Sequence, residues 1–242
     1  MNTPISSTIS TAGRQFVESV LRLDLPVAAF DCDGTLWSGD AGERFFDWEL
    51  KQGLVSAETA QSMRARYVEY RAGKVSEGAM CGEMVTMHQG LTDDAMMDAA
   101  TKFMAENFPG RMFAEMEELV HRLYDRGCEI WAVSSSNEWV IRAGMKRFGI
   151  ARDRILAAQA VVQGGIVTDR LVRVPSGHGK PQALREVTKK TLDAAFGNSR
   201  WDTEMLAMAQ HPFAINPNPD LERLAGERGW TVYFPDGTAR AG

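Results

Sequence analysis

Polar side chains cluster in this chain at the points where apolar runs stop. Val27 to Phe30 breaks into Asp31-Cys32-Asp33-Gly34-Thr35, Cys128 to Val133 into Ser134-Ser135-Ser136-Asn137, and Leu192 to Phe196 into Gly197-Asn198-Ser199 with Asp202 just beyond. Lys180 follows the glycine-flanked Gly177-His178-Gly179. Carboxylates in such a set can serve as nucleophile, acid, base or metal ligand, while a hydroxyl and a fixed ammonium can hold an anion. Each group also has a plainer role. An acidic pair after a strand makes turns, Ser134 can cap the helix that follows, Lys180 can be a solvated charge, and Asp202 a first-turn acid favoured by the helix dipole. Four such groups in order on one pattern are hard to assign to chance.

The pattern that must position them is an alternation of strands and helices. Val27 to Phe30, Cys128 to Val133, Leu192 to Phe196, Phe213 to Ile215 and Trp230 to Phe234 are short apolar runs of the kind found in buried parallel strands. Helical spacing appears over Phe16 to Leu21, Glu115 to Arg126, Glu138 to Phe148, from Lys180 onward, Asp202 to Gln210 and Asp220 to Arg228. Ile155 to Val162 and Ile166 to Val174 flank Gly164-Gly165 and predict a β-hairpin. The spacing therefore predicts an α/β fold, a parallel sheet with helices on both faces, whose carboxyl edge collects the polar strand ends. Residues 37–108 differ: helix formers, Met and Arg dominate, strand-like runs are absent, and Gly53, Gly73, Gly78 and Gly90 punctuate the stretch. They predict a helical insertion, a lid over the carboxyl edge of the sheet. Residues 1–13, rich in Ser and Thr, are expected to be loose.

Composition narrows the partners. With 242 residues, 44% apolar and 24% charged, the chain is neither collagen-like, coiled-coil nor low-complexity. Lys plus Arg number 27 against 32 Asp plus Glu, and the net charge of -5 argues against nucleic acid or an anionic membrane and for a small ligand. Cys32, Cys81 and Cys128 form no CxxC pair, which suits a reducing compartment. No stretch approaches the roughly 18 apolar residues of a membrane span, and no charged-then-apolar leader opens the chain, so a cytoplasmic setting is expected.

Taken together, the motifs resemble the haloacid dehalogenase superfamily of aspartate-nucleophile phosphatases. Asp31-Cys32-Asp33-Gly34-Thr35 is similar to its DxDGT motif, Ser134 to its serine or threonine motif, Lys180 to its lysine motif, and Gly197-Asn198-Ser199 with Asp202 to its acidic motif. The resemblance extends over about residues 26–236, and the helical stretch falls where phosphoserine phosphatase-like members insert their first type of cap. It implies a Rossmann-like core of residues 14–36 and 109–242 and an inserted cap of residues 37–108.

The residues account for the implied chemistry. A phosphomonoester hydrolyses very slowly unaided, and its negative charge repels an anionic nucleophile, so a site must neutralise it. Mg2+ prefers oxygen ligands and commonly uses one or two carboxylates with waters and a phosphate oxygen. Asp31, the Asp33 carbonyl and Asn198 or Asp202 would supply such a shell; Ser134, Ser135 and Lys180 would hold the remaining phosphate oxygens. Asp31 can attack phosphorus to give an aspartyl-phosphate, and Asp33, two residues on and on the same side of an extended chain, can protonate the leaving oxygen and then activate water. The dehalogenase branch lacks this second aspartate and needs no metal, which favours a phosphatase.

One departure is Asn198, where the family pattern has aspartate: its amide oxygen can ligate Mg2+ without contributing charge. The substitution is the feature that keeps open a catalytically impaired phosphate-ligand binding protein. A phosphotransferase that passes the phosphoryl group to another acceptor is the rival within enzymes. Gly177-His178-Gly179-Lys180 is not a nucleotide-binding P-loop, because the leading glycine is missing and Pro181 stands where Ser or Thr is required. His88, His121, His178 and His211 show no metal-binding spacing.

Substrate choice falls to the insertion. Phosphoserine phosphatases carry a glutamate nine residues after the nucleophile that binds the substrate amine; that position is Asp40, with Glu43 close by on the same segment. Arg64, Arg66 and Arg71 are candidates for a substrate carboxylate. A phosphoserine-like metabolite is therefore expected. Trp37, Trp48, Tyr67, Tyr70 and Trp139 suggest an alternative, an aromatic surround for the amine of phosphocholine or phosphoethanolamine, although aromatics at these intervals more often pack between cap and core.

Overall fold

The computed structural model describes residues 9–238. Its elements, in order, are α1 (Thr11–Leu21), β1 (Val27–Phe30), α2 (Ala41–Gln52), α3 (Ala57–Arg71), α4 (Glu77–Thr86), α5 (Asp93–Asn107), α6 (Ala114–Asp125), β2 (Glu129–Asn137), α7 (Glu138–Met145), β3 (Ile155–Gln163), β4 (Ile166–Arg173), α8 (Gly179–Val187), β5 (Ala194–Gly197), α9 (Thr203–Met208), β6 (His211–Ile215), α10 (Pro219–Arg228) and β7 (Thr231–Tyr233). The strands form one seven-stranded sheet in the order β4-β3-β2-β1-β5-β6-β7. The β1–β5, β5–β6, β6–β7 and β2–β3 pairs are parallel and the β3–β4 hairpin is antiparallel, so the fold is the expected Rossmann-like α/β architecture. No helix among the described residues is long and apolar enough to cross a membrane.

By compactness the chain divides into two units, one of residues 1–39, 110–131 and 189–242, the other of residues 40–109 and 132–188. In the first, β1 and β5 are buried along their whole length. Phe30, Phe196 and Phe213 on neighbouring strands stack face to face at centroid distances of 4.2 and 4.7 Å. Such a ladder needs strands in fixed register, which the pairs Phe30 with Phe196 and Phe196 with Phe213 supply. α1 turns Phe16, Val17, Val20 and Leu21 inward, and the Phe16 ring stacks on Tyr233 at 3.8 Å. The loose segment expected over residues 1–13 is not observed from residue 9 onward. Ser10 accepts from the Gly13 N–H as helix cap, its own N–H and hydroxyl donate to Asp236, and Ile9 is buried. Residues 1–8 lie outside the described residues.

The second unit contains the helical stretch. Asp40, Ser56, Ser76 and Thr92 each accept an N–H from the third residue onward, so α2 to α5 all begin on a side-chain cap. Of the four glycines read as breaks, Gly78 instead lies inside α4, one residue past a start already set by Ser76. Phe46, Leu50, Met63, Val75 and Met80 form a core cluster on which Tyr67, Tyr70, Met84 and Met87 pack. The Gly164-Gly165 turn takes positive φ at both residues, as a two-residue hairpin requires. One boundary that differs from the sequence reading is the end of β2, which does not stop at Val133; its Ser-rich end stays extended to Asn137, which pairs with Ala158 after an irregularity in register.

Candidate active site

In the first unit, the end of β1 and the turn after β5 bring Asp31, Asp33, Asn198 and Asp202 into two touching loops. The Asp31 N–H donates to the Phe196 carbonyl at 2.8 Å, so the first residue after β1 is still tied to β5. Its carboxylate is buried and accepts the Thr35 hydroxyl on Oδ2 at 2.9 Å. The N–H groups of Thr35 and Leu36 both return to the Cys32 carbonyl, curling the loop around Gly34. Gly34 has φ of +75°, and a Cβ there would lie 1.8 Å from Nδ2 of Asn198. Only glycine meets both conditions, and the contact sets the Asn198 carboxamide directly against the aspartate loop. Asp33 receives the Trp37 indole N–H on Oδ1 at 2.7 Å.

Asp202 is fully buried behind this pair. Its Oδ2 accepts the Asn198 N–H at 3.0 Å, the Ser199 N–H at 2.9 Å and the Ser199 hydroxyl at 3.2 Å, and it closes a capping box with Ser199. That oxygen is thus committed to shaping the turn that carries Asn198. Two residues absent from the sequence reading complete the support. The Asn218 N–H donates to the Asn198 carbonyl at 2.8 Å, and the Asn216 amide reaches the Gly34 carbonyl at 3.3 Å. Their signal is the alternation Asn216-Pro217-Asn218-Pro219, whose second asparagine caps α10 with proline at its first turn.

The oxygen donors of these loops, one carboxylate, one main-chain carbonyl and one amide with Asp202 behind, fit a hard divalent cation such as Mg2+. Among the described residues no group of three or more His, Cys, Asp or Glu side chains could hold a metal ion. A cation here would rely on the amide and main-chain oxygens as much as on carboxylates.

In the second unit, Ser134 is buried within β2 and accepts the Ser136 N–H on its hydroxyl at 3.1 Å; Ser135 lies between them, half-buried. Lys180, near the start of α8, is also buried, and its Nζ donates to the Val133 carbonyl at 3.0 Å. The ammonium is therefore held one residue from Ser134. Ahead of it, the Ser176 hydroxyl donates to Glu77 of α4 at 2.9 Å. The α2 start is close by: a Cβ on Gly42 would lie 2.3 Å from the Ser136 hydroxyl and 3.3 Å from an Asp40 carboxylate oxygen.

The residues expected to read the substrate separate into two groups. Asp40 caps α2 by accepting the Glu43 N–H at 2.7 Å. Glu43 accepts the Tyr67 hydroxyl at 2.5 Å and has Arg71 at 3.9 Å. Burial and the Glu43 carboxylate hold the Tyr67 phenol above its ordinary range, and burial, then Glu77, push Tyr70 up to about 12. Arg64 is not brought to this group; it lines a shallow groove with Leu50, Lys51, Val55 and Ala60. Arg66 is committed to Glu83 and Glu69 at 2.8 and 2.9 Å.

The five aromatics do not form one surround. Trp37 and Trp139 are fully buried, each giving its indole N–H to a carboxylate, Asp33 and Asp93 respectively, while Trp48 packs with Phe45 and Phe103. Only Tyr67 and Tyr70 remain side by side, at 5.7 Å. The physical reason is that a buried indole needs an acceptor for its N–H, and these two found carboxylates.

The family model for haloacid dehalogenase-like hydrolases matches residues 28–207. The chain belongs to that family. As a haloacid dehalogenase-like hydrolase it is 27% identical over 217 residues to a histidinol-phosphatase of Neisseria meningitidis serogroup C, a match covering 85% of this chain and 97% of that one. It is 25% identical over 233 residues to the phosphoserine phosphatase SerB1 of Mycobacterium tuberculosis, covering 87% and 71%. A solved phosphoserine phosphatase bearing an analogue of the phospho-aspartyl intermediate shares the fold, with a TM-score of 0.57 at 17% identity over 87% of this chain and 93% of that one. This haloacid dehalogenase-like hydrolase is a phosphatase.

Proposed function

We propose that the chain is a Mg2+-dependent phosphomonoester hydrolase that works through an aspartyl-phosphate on Asp31, with residues 14–36 and 109–242 as catalytic core and residues 37–108 as the cap that chooses the substrate. The observation that carries this reading is the buried Asp31 carboxylate at a strand end, with the Asn198 carboxamide seated against the same loop at Gly34.

In this mechanism Asp31 attacks phosphorus in line, forming its bond to phosphorus as the bond to the leaving oxygen breaks. Asp33 gives that oxygen a proton, then takes one from the water that attacks phosphorus and releases Asp31. Ser134, Ser135 and Lys180 hold the phosphoryl oxygens; the bond from Lys180 to the Val133 carbonyl keeps the cation beside Ser134. Mg2+, held by Asp31, the Asp33 carbonyl and Asn198 with Asp202 behind, would supply charge neutralisation of the phosphoryl group.

The substrate is a small phosphorylated metabolite of phosphoserine type. The SerB1 relative supports this choice, and Asp40 and Glu43 offer carboxylates for a substrate amine. The test is turnover with Mg2+ on phosphoserine, histidinol phosphate, phosphoethanolamine, phosphocholine and sugar phosphates, with p-nitrophenyl phosphate as a generic ester. Asp31→Asn is expected to abolish turnover on all of them with the fold intact, and chelation to abolish it reversibly. Appreciable activity in that variant, or full activity after chelation, overturns the reading.

A further inference from the structure

The geometry points to Trp37 as the positioning residue of the acid–base aspartate, an inference that rests on the role given to Asp33 above. Trp37 lies four residues past Asp33 and is fully buried. Its Nε1–H donates to Asp33 Oδ1 at 2.7 Å, the short end of the N–H to O range and typical of a charged acceptor. The main chain makes the arrangement rigid. The Gly34 N–H donates to the Trp37 carbonyl at 2.9 Å, and Trp37 pairs with Asp33 on one side and Met112 on the other. The flanking residues are fastened too, Phe113 N–H to the Leu36 carbonyl at 3.1 Å and Ser38 N–H to the Arg111 carbonyl at 2.8 Å. The backbone fixes where the side chain starts, and the fully buried ring cannot swing aside without displacing the groups packed around it.

The chemistry follows from what an indole nitrogen can do. It donates and does not accept, so Oδ1 of Asp33 is an acceptor in this bond, and in the acid form the proton is directed to Oδ2. Trp37 thereby selects which oxygen faces the ester. In the first half-reaction Oδ2 passes its proton to the leaving oxygen as the phosphorus–oxygen bond breaks and the bond to Asp31 forms. In the second, Oδ2 receives a proton from water as the water oxygen bonds to phosphorus and Asp31 departs. A carboxylate free to rotate would present either oxygen, and part of its population would be misdirected in both steps.

The test is Trp37→Phe, which keeps an aromatic ring and removes the N–H, assayed on phosphate esters that differ in leaving-group basicity. A well-placed acid is worth roughly 100-fold or more for an alkoxide and little for a leaving group that needs no proton. Trp37→Phe is expected to lower kcat/KM for alkyl phosphates by about 100-fold and for p-nitrophenyl phosphate by less than about 3-fold, with KM nearly unchanged. In an Asp33→Asn background the same substitution is expected to cost nothing further. An equal loss on every ester, or an undiminished loss in that background, would show a merely structural role and overturn the inference. Should Trp37→Phe fail to fold, the indole N–H resonance of Trp37 decides: it is expected far downfield and slow to exchange, and unchanged on Asp33→Ala it refutes the contact. If Asp33→Asn itself leaves alkyl-ester turnover intact, the acid–base reading of Asp33 fails; if Asp33→Asn is inactive while Trp37→Phe is normal on all esters, only the positioning inference fails.

Discussion

Asp202→Ala tests how the turn that carries Asn198 is built. Asp202 is fully buried, and one of its oxygens accepts two main-chain N–H groups and a hydroxyl within 3.2 Å. Alanine leaves the N–H groups of Asn198 and Ser199 without this acceptor. A buried donor left unmade costs about 1–3 kcal/mol, so two of them give a ceiling of about 6 kcal/mol; the Ser199 hydroxyl can rotate and adds little. Water entering the space vacated by the carboxylate reduces the cost, and the expected loss is about 3–4 kcal/mol. Equilibrium urea unfolding is the assay. With a slope of roughly 2–3 kcal/mol/M the midpoint should fall by about 1–2 M at unchanged slope. Asp202→Asn keeps an acceptor and loses the charge, so about 1–2 kcal/mol is expected. A loss under about 1 kcal/mol for Asp202→Ala, or equal losses for alanine and asparagine, would refute hydrogen-bond acceptance as the role of this side chain.

Gly34→Ala is expected to cost about 1–2 kcal/mol for the left-handed backbone alone and to push Asn198 off the aspartate loop, so turnover should drop at least tenfold and need more Mg2+; a Mg2+ titration of activity checks it. Phe196→Ala removes the middle ring of the Phe30–Phe196–Phe213 stack and should destabilise by about 3–5 kcal/mol in urea unfolding. The Cys128 thiol is pushed up to about 12, first by burial and then by Asp193. Because the folded state keeps this proton while the unfolded thiol loses it at lower pH, its contribution is intact below the ordinary thiol range and is lost as pH rises toward about 12; native Cys128 should resist iodoacetamide at pH 8, read by peptide mass mapping.

The strand ends are legible in the sequence because an apolar run stopping at a polar cluster is a local pattern, and parallel topology then gathers such ends whatever the loops between them. The loops of Asp31 and Asn198 are brought into contact in this way although 167 positions separate the two residues. The helical character of residues 37–108 is legible from local composition, but composition does not mark the individual helix starts, although Asp40, Ser56, Ser76 and Thr92 each act within their own first turn. What escapes is anything decided by a distant partner. The end of β2 reads as loop because three serines carry no strand signal, yet β3 pairs with its last residue. α3 buries only Met63, so spacing alone cannot tell which arginine meets an acid; Glu83, on another helix, takes Arg66.

Trp37 shows what a residue type leaves open. By composition it is an aromatic, which either packs in the interior or surrounds a ligand. Its place in a clamped backbone between Asp33 and Met112 turns the ring inward and leaves the indole N–H as the one polar atom that must be satisfied. The nearest answer within its own loop is a carboxylate of the motif itself. The same reasoning applies to Asn198. The carboxamide contributes no charge, but it lies against Gly34, and the main chain of Asn198 is fixed by the Asn218 N–H on its carbonyl and by Asp202 through its N–H. The position of the amide is thereby fixed, and the nearest carboxylate in that turn is Asp202, which accepts the Asn198 N–H. At this position the placement of the amide depends on the turns that seat it, so substitutions that loosen those turns, such as Gly34→Ala, should injure its role.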